Sequence, residues 1–119
     1  MNWYMAKIVF RIICGEGSHA PQFDEQLRLI NGSDEKEAFE KAKALGEREE
    51  DMFFNQRDEL VKWQFINVAE LYKIPDLIDG AELYSRVEEA DQANAYIDVV
   101  NKKAAFIHSK FNRRVLEAL

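Results

Sequence analysis

The chain has 119 residues, 47% of them hydrophobic and 32% charged, with a formal net charge of −6. This length suits one domain with one hydrophobic core, and the composition is too apolar for a disordered chain and lacks the apolar run of a membrane span. The acidity disfavours nucleic acid and anionic membranes as general partners, and the single cysteine, Cys14, closes no internal disulfide, which fits a cytoplasmic setting.

Trp3 to Cys14 alternates with period two. Tyr4, Ala6, Ile8, Phe10, Ile12 and Cys14 make one wholly apolar face, and Trp3, Met5, Lys7, Val9, Arg11 and Ile13 make a mixed one. The pattern predicts a long strand with its apolar face in the core. Lys7 and Arg11 interrupt the stretch, which argues against a signal peptide. Gly15 to Pro21 reads as a loop. Phe23 to Ile30 reads as a second strand, with Phe23, Leu27 and Leu29 on one side and Asp24, Gln26 and Arg28 on the other.

Asn31-Gly32-Ser33-Asp34 breaks the strand and opens a helix. Asp34 with Glu37 three residues on forms a capping box, and Ser33 is an equally good cap. Ala38, Phe39, Ala42, Leu45, Met52 and Phe53 recur at helical spacing, with Gly46 as a point where the helix bends or ends. Leu60 to Tyr72 is a third strand; strict alternation puts Val61, Trp63, Phe65, Ala69 and Leu71 on one face and Lys62, Gln64, Ile66, Val68, Glu70 and Tyr72 on the other. Beyond a turn at Pro75 and Gly80, Ala81, Leu83 and Val87 predict a fourth strand. Asp91 then caps a final helix with the stripe Ala93, Tyr96, Ile97, Val100, Ala104, Ile107, Phe111 and Val115. The expected fold is α+β: an antiparallel four-stranded sheet in ββαββα order, with helices packed on one face, in a single domain over residues 1–119.

The segments Trp3-Tyr4-Met5-Ala6-Lys7-Ile8-Val9-Phe10-Arg11-Ile12 and Gln22-Phe23-Asp24-Glu25-Gln26-Leu27-Arg28-Leu29-Ile30 carry a resemblance. With Glu37-Ala38 and Trp63-Gln64-Phe65-Ile66-Asn67-Val68 followed by Glu70-Leu71, they resemble a bacterial domain-of-unknown-function family, DUF4288. The resemblance covers residues 1–90 and leaves the helix of 91–119 as an extension. It implies the fold above and assigns no activity and no catalytic residue.

The chemistry-bearing residues are sparse. His19 lies in the loop near Glu16 and Asp24, where a histidine beside acids serves as a metal ligand, a base or a solvated loop residue. No HxxxH, HExxH or CxxC spacing accompanies it, so no metal and no cofactor are expected. Cys14 reads as a buried small hydrophobe or as a nucleophile paired with His19. Asp24, Glu25, Glu70 and Glu82 invite a nuclease reading. Glu70 and Lys73 have the wrong spacing for one strand face, and alternation separates Asp24 from Glu25, so the acids read more simply as partners of Lys7, Arg11 and Arg28. Gly15 and Gly17 make no phosphate loop, because a strand follows them.

The mixed sheet face is the stronger signal. Trp3, Met5, Lys7, Val9, Arg11 and Ile13, together with Ile66, Val68 and Tyr72, form a half-apolar strip that helices on the other face leave uncovered. It predicts a protein-interaction module without enzymatic activity, assembled as a homodimer through this strip. An immunity or antitoxin-like role for a small acidic domain is one version. The alternative is a small-molecule-binding protein or enzyme using the groove at residues 15–22, with His19, Cys14 and Asp24 as its candidates. Docking of the basic final helix on an acidic surface or nucleic acid is a third reading.

Overall fold

The structure is a computed structural model that describes residues 1–118, with side chains described for residues 1–112. Its elements are β1 (Asn2–Cys14), β2 (Gln22–Gly32), α1 (Glu35–Arg48), β3 (Asp51–Phe54), β4 (Leu60–Ile74) and α2 (Ala93–Ala118). The strands form one antiparallel sheet in the order β2-β1-β4-β3. The order ββαββα and the α+β class are those expected from the sequence. The packing resolves two compact units, Met1–Ser85 and Arg86–Leu119.

In the first unit, Tyr4, Ala6, Ile8 and Phe10 of β1 are buried with Ile30, Ala38 and Ala42, and Leu45, Trp63, Phe65, Val68 and Leu71 pack around them. The helix α1 lies across this face. Asp34 is its N-cap, its carboxylate accepting the Glu37 N–H at 2.8 Å, while the Ser33 hydroxyl donates to the Glu37 carboxylate. Ala38, Ala42 and Gly46, four residues apart, are the buried residues of α1, and small side chains there let the helix sit close to the strands.

Two segments differ from the sequence reading. Met52 and Phe53 belong to β3, not to the helix. The helix stops at Arg48 because the acids after it are used by the sheet: Glu49 takes both guanidinium nitrogens of Arg28, at 2.7 and 2.9 Å, and Glu50 accepts the Phe65 N–H at 3.0 Å. Carboxylates at a helix C-terminus also oppose its dipole. An Asx turn then reverses the chain, Asn55 Oδ1 accepting the N–H groups of Arg57 and Glu59 at 2.9 and 3.0 Å, and β3 pairs with β4. The second difference is at 81–87, which form no strand. β3 takes the outer edge of β4 only at 60–63, and beyond it Tyr84 contributes a ring and not a strand, edge-on to Tyr72 with centroids 5.8 Å apart.

The strict alternation assumed for β4 also fails. Its register against β1 shifts twice, leaving Ala69 and Ile66 unpaired, so Leu71, Val68 and Phe65, three residues apart, pair with Ala6, Ile8 and Phe10. Val68 therefore faces the core and not the mixed strip. Beside these shifts two N–H groups of β4 are accepted by side chains: that of Phe65 bonds to Glu50, and that of Val68 bonds to Asn67 Oδ1 at 2.9 Å.

In the second unit, α2 is a 26-residue helix. All of its described side chains are exposed.

Candidate functional site

Residues paired across antiparallel strands share a sheet face, so the register settles which side chains lie opposite α1. Arg11 pairs with Phe23, Lys7 with Leu27 and Met5 with Leu29. The apolar side of β2 therefore joins the mixed side of β1, and Asp24, Gln26 and Arg28 lie on the helix side. Phe23, Leu27 and Leu29 are each just over half exposed. Across the sheet, Ile66, Met52 and Phe54 are exposed as well. Alternation along β2 carried this signal; only the pairing tells which face receives it.

The expected strip is partly covered by the chain itself. Met5 and Ile74 are buried on this side, and Tyr84 returns to it, against Tyr72 and beneath the Lys7 ammonium at 5.4 Å from its ring centre. Met5 is thus no free contact residue. Trp3 and Tyr72 remain part-exposed, while Val9, Arg11 and Ile13 are half-buried.

The two cations of the face differ. Lys7 lies 3.1 Å from Glu70 and 4.0 Å from Glu25. The Glu70 carboxylate at that distance, opposed by desolvation and helped by the charges of Glu25 and Tyr84, raises its pKa above the ordinary lysine value. Arg11 has no ion pair among the described residues, and its Nε is buried without an acceptor. A buried N–H donor left without an acceptor is costly, and an acceptor from outside the chain would meet it.

At the sheet end lies a groove of about 880 Å³ between the 15–22 loop and the 55–59 turn, lined by Cys14, Glu16, His19, Gln22, Arg57 and Glu59 among others. Here His19 and Cys14 come together, but through the backbone: His19 Nε2 accepts the Cys14 N–H at 3.0 Å and Nδ1 donates to the Ala20 carbonyl at 2.9 Å. Both ring nitrogens thus hold the loop, leaving neither for the Cys14 thiol. Asp24 is elsewhere, accepting from Gln26 at 2.6 Å and from the Trp63 indole at 3.3 Å on the helix side. No group of three or more His, Cys, Asp or Glu residues suited to a metal ion occurs among the described residues.

These features define a small α+β sheet domain, with one helix across one face and an apolar, cation-bearing face opposite. The chain matches the family described as a domain of unknown function, DUF4288, over residues 3–85, and it belongs to that family. The match ends at Ser85, where the first compact unit ends. No curated protein and no solved structure matches the chain. No helix among the described residues is long and apolar enough to cross a membrane.

Proposed function

We propose that the protein is a non-enzymatic interaction module that self-associates through the helix-free face of its sheet. The observation that carries this reading is the half-buried Arg11, whose Nε has no acceptor, beside its exposed cross-strand neighbour Phe23 and on the same face as exposed Leu27. A second copy suits it because the same face carries Glu25, largely exposed and only 4.0 Å from Lys7. In a two-fold contact each Arg11 meets the partner's counterpart of Glu25, and the apolar rows of β2 cover one another. An immunity-like role, masking the basic surface of a toxin, draws on the acidity of the whole chain and not on this cation-bearing face.

Sedimentation equilibrium of the native chain and of Leu27→Glu tests the reading. Leu27 is 53% exposed, so the substitution leaves the fold intact while placing a charge in the contact. Native protein is expected to associate, and the variant to do so at least about tenfold more weakly, a change of about 1.4 kcal/mol. Equal association of the two, or a native chain that stays monomeric, would sink the sheet-face dimer.

A further inference from the structure

The helix α2 presents a seam that no described side chain of its own unit covers. Ala93, Ile97, Val100, Ala104, Ile107 and Phe111 recur at alternating steps of four and three, the spacing of a coiled-coil core. Ile97, Val100, Ile107 and Phe111 are 47–55% exposed. A helix with an open seam of this kind draws its stability from what packs against it.

We infer that α2 pairs with α2 of a second copy of this chain, in antiparallel orientation. Two features select this occupant and this direction. The first is size. Run antiparallel, the seam places Ala93 against the partner's Phe111, Ile97 against its Ile107 and Val100 against its Ala104, so small meets large at the ends. Run parallel, it stacks Phe111 on Phe111 and leaves gaps where Ala93 and Ala104 meet their mates. The second is charge. Glu88, Glu89 and Asp91 lie just before α2 and Asp98 in its first half, against one arginine, whereas its second half holds Lys102, Lys103, Lys110, Arg113 and Arg114 against the single acid Glu117. A parallel pair sets like ends together; an antiparallel pair sets acidic ends on basic ones and opposes the helix dipoles. Asp98 and Lys102 pair within the helix at 2.8 Å, while Lys110 is a basic residue beside the seam.

The inference does not rest on the sheet-face contact, and its test is made in the Leu27→Glu chain so that the two fail separately. Sedimentation of that chain is expected to show a residual dimer. Val100→Glu within the seam should weaken it at least about tenfold. Lys110→Glu, which leaves the seam intact, should weaken it as well and reduce its sensitivity to salt. For direction, spin labels on Asn94→Cys in a Cys14→Ser background should lie roughly 24 Å apart along the axis, by the rise of about 1.5 Å per residue. Labels within about 15 Å would mean a parallel pair and overturn the inference, since parallel seams keep equivalent residues level. Dimerisation untouched by Val100→Glu, or a monomer whose helix is protected from exchange by its own chain, would overturn it too.

Discussion

Gly46 is where the fold is most exposed to a single added carbon. A β-carbon on residue 46 would stand 2.5 Å from Cδ1 and 3.0 Å from Cζ of Phe65, and nearer still to Cε1. The Phe65 ring has no easy retreat, because it packs edge-on to the buried Phe10 with centroids 6.0 Å apart. On an open helix surface Gly→Ala stabilises by about 1 kcal/mol. Here the overpacking cost of about 1–3 kcal/mol opposes that gain, so Gly46→Ala is expected to gain nothing and to lose up to about 2 kcal/mol. Urea denaturation followed by circular dichroism reads the difference. In a Phe65→Leu background the clash is relieved, and the same substitution should be neutral or stabilising, a coupling that a double-mutant cycle reports. Stabilisation by Gly46→Ala in the native background would show that α1 does not approach β4 this closely, and the packing of the helix face would be wrong.

Phe10 is among the largest fully buried side chains, at 1% exposure, and Phe10→Ala should cost about 3–5 kcal/mol in the same denaturation assay; a loss under about 1 kcal/mol would mean that β1 faces the other way. The Glu49 carboxyl is held below its ordinary value by the hydrogen bond from Arg28, and the Arg28 guanidinium is raised chiefly by the same bond. A depressed carboxyl contributes stability that is present above the unfolded glutamate value and lost as pH falls through the lowered one. Native protein should therefore lose melting temperature in acid more steeply than Glu49→Gln, and parallel profiles would contradict the pair. Lys7 has the opposite sign: its contribution is present below the ordinary lysine value and is lost only as pH rises through its raised one.

Much of the fold was legible in local pattern. The alternation of β1, the Asp34 cap, the long β4 and the period of α2 each follow from a single segment read alone. What the pattern hid depends on partners distant in sequence. Met52 and Phe53 continue the helical spacing of Ala38 and Ala42, but Glu49 and Glu50 are pulled away by Arg28 and the Phe65 amide, so the apolar pair becomes strand. Val68 changes face because two bulges interrupt β4, and no period-two count can register an unpaired residue. The candidate face suffered similarly. Trp3, Val9 and Arg11 were visible as a mixed strip, whereas the loss of Met5 beneath the chain and the gain of Phe23, Leu27 and Leu29 needed the strand register. The Asn55-to-Glu59 turn was the one missed signal that lay in the sequence, an Asx turn between two runs rich in β-forming residues.

The claim that the helix-free face meets a second copy is tested most directly by isotope-filtered nuclear Overhauser spectroscopy. An equimolar mixture of labelled and unlabelled chains reports only contacts between copies. The account predicts intermolecular contacts at the methyl groups of Leu27, Leu29, Val9 and Ile66, all lost in Leu27→Glu. Silence at those methyls, in a sample whose sedimenting mass is that of a dimer, would contradict it.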